Sequence, residues 1–186
     1  IILHAKADIG HIDLQEKSLD LSSVVSVVLR QMTDKLQSSK TSAKIMFQEP
    51  LPHLLADEFR LQQIITNLLL ILLDEAIAGD SIRFEAKVIN EHRDRQFLVL
   101  IIGNSKVESV SDDRLFALAS KLFASMSQKA NSLKTIDNEI PDLRFILTKA
   151  LVELHGSILH IESAGEQIQN YVIFFPSTRI VFNDNY

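Results

Sequence analysis

The stretch that decides the fold runs Asp57-Glu-Phe-Arg60-Leu-Gln-Gln-Ile-Ile-Thr-Asn67-Leu-Leu-Leu-Ile71-Leu-Leu-Asp74. Its apolar residues recur at helical spacing, which predicts a helix with one buried side. The residues on that side are Leu61, Ile64, Ile65, Leu68, Leu69 and Leu72. Asp57 stands where an N-cap would accept hydrogen bonds from the first turn. We therefore predict a helix from Asp57 through about Ala76, followed by a turn at Gly79-Asp80.

Size and composition indicate one globular domain. The chain has 186 residues, 46% of them hydrophobic, which suffices for one core. The longest apolar runs, Leu68–Leu73 and Phe97–Ile102, are too short to cross a membrane, so no membrane contact is expected from this segment. A net charge of −5 with no basic stripe argues against nucleic acid as a partner. The absence of cysteine excludes disulfides, thiolate zinc sites and cysteine nucleophiles, and fits a cytoplasmic protein.

The rest of the chain alternates helices with pairs of strands. Further helices are predicted from Asp20 to about residue 38, over 112–126 and over 141–155, and Asn90–Arg95 is predicted as a solvated loop. The strands are predicted at 44–48, 81–88, 96–102, 157–162 and 170–175. This order predicts an α/β two-layer sandwich with a mixed sheet of about five strands, covered on one face by the three helices 20–38, 57–76 and 141–155.

The first stretch resembles the asparagine box of sensor histidine kinase ATP-binding domains, which belong to the Bergerat-type (GHKL) ATPases. That box has the form Asp-x-x-Arg-Leu-x-Gln-Val-Leu-x-Asn-Leu-Leu-x-Asn-Ala-x-Lys-Phe. The residues that match it in register are Asp57, Arg60, Leu61, Gln63, Ile64, Ile65, Asn67, Leu68 and Leu69. Lys149-Ala-Leu-Val-Glu-Leu-His-Gly156 is similar to the helical tail of the family's second glycine box. The resemblance covers residues 7–176 and implies a Bergerat-type fold.

The residues that hold magnesium and phosphates in that family are replaced here. The resemblance places Ile71 at the magnesium-binding asparagine and Asp74 at the lysine that approaches the phosphates. Magnesium needs oxygen ligands, which isoleucine lacks, and an aspartate would repel phosphate. Asn67 matches the first asparagine of the box. It is open to two interpretations: a surviving polar ligand of a vestigial ATP site, or a helix residue satisfied locally.

The glycine boxes are altered as well. Aligning the strand that ends at Ile102 places Gly103 at the adenine-binding aspartate of the family. The neighbouring Asn104 could accept one hydrogen bond from an adenine or be a plain turn residue. Ile140, Asp142 and Arg144 stand where three glycines of the second box would let backbone N–H groups approach phosphate. We expect Ile71, Leu72 and Ile140 to narrow the nucleotide cleft, with 127–139 as a loose or collapsed lid.

The N-terminal residues Ala7–Leu14 resemble the hinge that joins the dimerisation helices of a sensor kinase to its ATPase domain. This predicts a division into a lead-in at 1–19, an ATPase-like domain at 20–177 and a tail at 178–186. The abrupt start predicts a segment of a longer chain, with homodimerisation through helices upstream. His4 lies outside any phosphoacceptor-like setting.

These features lead to one functional hypothesis and two alternatives. The hypothesis is a catalytically degenerate histidine kinase ATPase-like domain that acts as a signalling scaffold or regulatory module in a two-component pathway. It would have no catalytic residues, no metal site and no cofactor, and its partners would be a response regulator or a partner kinase. The enzyme alternative is an active histidine kinase domain that binds ATP and magnesium through an altered site. A protein-binding module that reuses the cavity for another ligand is the third possibility.

Overall fold

The computed structural model describes residues 13–92, 95–128, 143–164 and 167–182. Within them the helices are α1 (Leu21–Gln31), α2 (Thr33–Ser38), α3 (Glu58–Glu75), α4 (Asp112–Gln128) and α5 (Leu143–Leu154). The strands are β1 (Glu16–Leu19), β2 (Ser42–Phe47), β3 (His53–Asp57), β4 (Ser81–His92), β5 (Arg95–Asn104), β6 (Ile158–Ala164), β7 (Gln167–Pro176) and β8 (Ile180–Val181). None of the described helices is both long and apolar enough to cross a lipid bilayer.

The main sheet has five strands in the order β2-β4-β5-β7-β6. It is mixed, because β2 runs parallel to β4 while the other neighbours are antiparallel. The predicted mixed sheet of about five strands is therefore confirmed. A second, three-stranded sheet with the order β1-β3-β8 was not predicted, because strands of four, five and two residues are too short to show a period.

The three predicted helices pack on one face of the main sheet. The apolar side of α3 is fully buried there, as the spacing in the sequence predicted. Val24 and Val28 of α1 and Leu151 of α5 enter the same core, opposite Phe84 and Leu100 of the sheet. This two-layer arrangement is the one that the element order predicted, and it positions α3 between α1 and α5.

Helix α4 lies on the opposite face of the sheet. Its Leu115 and Ala119 are fully buried against Val99 and Ile101. The rings of Phe97 and Phe123 stack with their centroids 5.2 Å apart. The strands can serve two cores because their successive side chains point to opposite faces and both sets are apolar.

Some predicted boundaries were wrong. The helix predicted over 20–38 is broken at Met32, where the Thr33 hydroxyl donates to the carbonyl of Arg30 and competes with the helical ladder. The loop predicted at Asn90–Arg95 is shorter, because β4 continues to His92 and β5 begins at Arg95. The antiparallel ladder evidently extends past the buried part of the hairpin.

The predicted domain division remains a prediction. The folded unit nevertheless extends beyond the predicted domain boundaries at residues 20 and 177. Strand β1 precedes residue 20 and β8 follows residue 177, and both pair with β3. Other predictions concern residues outside the described ranges. These are the hinge and His4 up to residue 12, most of the 127–139 segment, and Ile140 and Asp142 of the glycine box.

Candidate functional site

Helix α3 carries most of the residues that the resemblance singled out, and it begins and ends as its sequence predicted. The Asp57 carboxylate accepts a hydrogen bond of 3.0 Å from the amide of Arg60, which caps the helix. At the far end Gly79 has φ +93°, a conformation that favours glycine, in the turn that leads to β4. The predicted cap and turn are confirmed.

Asn67 contacts α5. Its side-chain amide donates to the hydroxyl of Thr148 over 3.1 Å, and that hydroxyl donates to the carbonyl of Arg144 over 2.7 Å. Thr148 is fully buried, so its hydroxyl needs these partners. The amide nitrogen of Asn67 is therefore bound to a neighbouring helix, which the sequence did not show.

The two charged replacements contact each other. A guanidinium nitrogen of Arg144, in the first turn of α5, lies 2.7 Å from a carboxylate oxygen of Asp74, near the end of α3. Both side chains are part-exposed, at 37% and 48%, so the pair adds little to stability. The position of the pair matters more than its energy, because it places one negative and one positive side chain where α3 ends and α5 begins.

His155 links the same two helices at their other ends. Its buried ring accepts a hydrogen bond of 3.3 Å at Nε2 from the backbone amide of Asp57, while Nδ1 lies 2.8 Å from the carbonyl of Leu151. The neighbouring backbone amides of Arg60 and Gln15 help to lower the pKa of the Asp57 carboxyl, against the effect of its burial. Helices α3 and α5 are thus antiparallel and joined at three levels, 57 with 155, 67 with 148 and 74 with 144.

The position assigned to magnesium is apolar. Ile71 is only 7% exposed, and Leu72 and Leu73 beside it are equally buried. These side chains offer no oxygen to a hard cation. The expectation that Ile71, Leu72 and Ile140 narrow the nucleotide cleft stays a prediction, and Ile140 lies outside the described residues.

Asn104 is the last residue of β5, and its side chain stabilises the turn that follows. Its side-chain oxygen accepts from the amide of Lys106 over 2.9 Å, which is the pattern of an Asx turn. Its amide nitrogen lies 3.4 Å from the carboxylate of Asp80. Both polar atoms of Asn104 therefore have partners nearby, and the structure brings Asn104 together with Asp80 rather than with Asn67.

The sequence marked Asp80 only as part of a turn with Gly79, yet its side chain contacts Ile77, Asn104 and Lys106. Its carboxylate is buried and accepts hydrogen bonds from the Lys106 ammonium at 2.6 Å and the Ile77 amide at 3.1 Å. The bond from Lys106, with that from Ile77, holds the pKa of Asp80 below its ordinary value. The adjacent Gly79 was the only local signal, since it marked a turn but not what the carboxylate would bind.

A cleft of about 260 Å³ opens beside this cluster. It is lined by Leu72, Glu75, Ala76, Ile77, Asp80, Ile82, Asn104 and Lys106. Typical small-molecule sites have volumes of roughly 300–1,000 Å³, so this cleft lies below that range. Its lining includes Asn104 but not Asn67.

The chain is similar in sequence to histidine kinases of the genus Brucella. No protein-family model matches the chain. The cell-division control histidine kinase PdhS of Brucella canis is 27% identical over 183 residues, which is 95% of this chain but only 17% of PdhS. PdhS of Brucella abortus matches equally well. The chain thus spans about a sixth of the length of the curated relatives it matches.

Solved structures that superpose on this chain include histidine kinases. The Acinetobacter baumannii histidine kinase AdeS superposes with a TM-score of 0.61 at 15% identity, covering 98% of this chain and 76% of AdeS. The catalytic domain of histidine kinase ThkA superposes with a TM-score of 0.58 at 11% identity, covering 88% of this chain and 97% of that domain. The resemblance seen in the sequence is thus confirmed for the fold: the chain has the α/β fold of histidine kinase ATPase domains.

Proposed function

We propose that this histidine kinase-like domain is catalytically degenerate and acts as a signalling scaffold or regulatory module in a two-component pathway. The domain would keep the fold of an ATPase while binding no nucleotide. Its function would then depend on its surfaces rather than on chemistry in the cleft. The similarity to PdhS supports the pathway, and the residues between α3 and α5 support the degeneracy.

The observation that carries the proposal is the ion pair between Asp74 and Arg144. The resemblance assigns both positions to phosphate binding, one as a lysine and the other as a glycine. Here they carry side chains that bind each other at 2.7 Å. A phosphate that approached Arg144 would have to compete with the Asp74 carboxylate, and their negative charges would repel each other.

Two further features of the site support the same conclusion. The amide nitrogen of Asn67 is bound to Thr148, so a ligand that recruited this nitrogen would have to break the hydrogen bond between α3 and α5. Ile71 supplies no oxygen for the magnesium ion that would accompany the phosphates. These losses would add to one another because they concern different parts of one ligand.

The partners we propose are a response regulator or a partner kinase, with homodimerisation through helices upstream of this chain. A cytoplasmic location goes with such partners. Both remain predictions, because the chain covers only 17% of PdhS.

The test is calorimetry of the domain with a non-hydrolysable ATP analogue and magnesium at millimolar concentration, with thermal unfolding measured in parallel. We expect no binding heat and no shift in Tm. A ligand present at 100 times its Kd would stabilise the folded state by about 2.7 kcal/mol, which such a scan detects readily. A histidine kinase catalytic domain with intact asparagine and glycine boxes is the positive control.

Saturable, magnesium-dependent binding would overturn the proposal and favour the active-kinase alternative. Asn104→Ala and Asn67→Ala would then locate the ligand. Loss of binding in Asn104→Ala alone would place it in the open cleft beside Asp80, by a route different from that of the family.

A further inference from the structure

Strand β2 forms one edge of the main sheet, where it pairs with β4. The backbone amides of Ser42 and Gln48 donate toward β4, to carbonyls 3.0 and 2.8 Å away. Alternate residues of a parallel strand bond to the partner, so the residues between these direct their N–H and C=O groups outward. Three residues of β2 have this orientation: Ala43, Ile45 and Phe47. No described residue forms a hydrogen bond with these outward groups, so the edge offers three donors and three acceptors to another strand.

The side chains of β2 are apolar and part-exposed on both faces of the sheet. Ile45 lies on the face that α1 and α3 cover and is 42% exposed, whereas Met46 lies on the opposite face and is 56% exposed. The side chains of a strand added to this edge would stand beside these two on the same faces, with Cβ atoms about 4.5–5.5 Å apart. Strand addition would therefore remove apolar surface from water on both faces at once.

The edge is positively charged, although the protein as a whole carries a net charge of −5. Lys40 precedes β2 and Lys44 lies within it, and the range 35–48 contains no aspartate or glutamate. Neither of these two lysines forms an ion pair with a described residue. The register places Lys44 beside Arg83, and the Glu85 carboxylate is already bound by Arg83 and Lys87 at 3.4 and 3.0 Å. Lys44 therefore adds a positive charge that complements an acidic partner.

A second copy of β2 fits this edge less well. Antiparallel pairing of two copies about Ile45 would use every outward group, but it would make the two Lys44 side chains diagonal neighbours on one face, about 7–8 Å apart. Two like charges at that distance repel each other. A strand that places a carboxylate opposite Lys44 forms the same hydrogen bonds and replaces this repulsion by attraction.

We propose that the edge of β2 binds an extended, acidic segment of a partner protein, which adds to the main sheet as an antiparallel strand. Main-chain hydrogen bonds to the outward groups would supply affinity, and the side chains would supply selectivity. The segment would carry a carboxylate opposite Lys44 and apolar side chains opposite Ile45 and Met46. This interaction goes beyond the proposed function, because it neither requires nor excludes nucleotide in the cleft.

The first experiment titrates the chain into a fluorescein-labelled peptide, Thr-Thr-Val-Val-Glu-Val-Glu, and follows its fluorescence anisotropy in the absence of nucleotide. In the antiparallel register the fourth residue would face Ile45 and the fifth Lys44. Methylating the backbone nitrogen of the fourth residue removes a donor to β2 and should weaken binding about tenfold or more. Methylating the fifth, whose N–H would point away from β2, is the matched control and should change the affinity by less than about twofold. Absence of saturable binding, or equal losses from the two methylations, would overturn the proposal.

The second experiment changes the edge itself. Lys44→Glu should weaken binding of the peptide several-fold and strengthen binding of a peptide with lysine in place of both glutamates. Lys121→Glu, on the exposed side of α4, makes the same change in net charge and should do neither. Equal effects of the two variants would reduce the interaction to net charge and refute strand addition.

A proline at the edge separates a partner segment from a second copy as the occupant. Ile45→Pro removes an outward donor without breaking a bond to β4, so it should weaken peptide binding about tenfold or more while the Tm stays near that of the parent. In sedimentation velocity we expect the parent and this variant to sediment alike. A dimer of the parent that Ile45→Pro dissociates would assign the edge to a second copy and overturn the proposal. The methylated peptides require no change in the protein, so they decide the question even if Ile45→Pro fails to fold.

Discussion

Replacing Thr148 by valine tests whether Asn67 holds α3 and α5 together or is free to bind a ligand. The substitution keeps the shape of the side chain and removes its hydroxyl. It would leave the Asn67 amide without its partner at 3.1 Å and remove a buried polar atom that bonds the Arg144 carbonyl.

The expected loss follows from burial. A buried donor without a partner costs about 1–3 kcal/mol, and since Asn67 is only half-buried we expect the lower half of that range, about 1–2 kcal/mol. Asn67→Leu alone should cost less, because the Thr148 hydroxyl loses the Asn67 donor but still donates to the Arg144 carbonyl. In the double variant both polar groups are gone, so the two losses should not add.

The assay is urea unfolding of the four proteins in the double-mutant cycle, with the midpoint and the slope m fitted separately. An unchanged m shows that only stability has changed. A coupling energy of about 1 kcal/mol or more would establish the bond in solution. Additive effects, or a Thr148→Val variant as stable as the parent, would refute the reasoning and leave Asn67 available as a ligand.

Three further outcomes are expected. Ile71→Asn should lower the free energy of unfolding by about 1 kcal/mol or more, since it places an amide in an apolar site, and should still bind no ATP; unchanged stability with new magnesium-dependent binding would contradict this. Exchanging the charges as Asp74→Arg with Arg144→Asp should restore most of the small, salt-sensitive loss of stability that each single variant shows in denaturant titrations; a double variant whose loss equals the sum of the two single losses would show that the pair does not form. The lowered pKa of Asp80 implies stability that is present above pH 3.8, the ordinary value, and is lost as the pH falls through the folded-state pKa. Lys106→Met should therefore raise the pKa of Asp80 in an NMR titration and reduce this contribution, and an unchanged titration would exclude the Lys106 bond.

Much of the fold could be read from the sequence, because it depends on local patterns. The helical spacing of apolar residues from Leu61 to Leu72 predicted α3 and its buried side. Asp57 marked its start and Gly79 the turn after it. The paired apolar runs predicted the central strands of the mixed sheet. In each case the residues that determine the element lie within a few positions of one another.

Three features depended on tertiary structure. The small β1-β3-β8 sheet joins strands from both ends of the chain, and none of them is long enough to show a period. The position of α4 on the far side could not be predicted, since both faces of the central strands are apolar. The Asp80 cluster joins two turns separated by 26 residues.

The contacts within the candidate site also depended on tertiary structure and could not be predicted from the sequence. Reading along the chain, Asp74 and Arg144 were two separate departures from a family pattern, and Asn67 was a surviving match. Only the fold shows that Asp74 binds Arg144, 70 residues away, and that Asn67 binds Thr148, 81 residues away. A sequence pattern records which groups are present at each position. Which groups meet is decided by the burial of the apolar sides of α3 and α5 against one sheet, and that burial depends on the whole core at once.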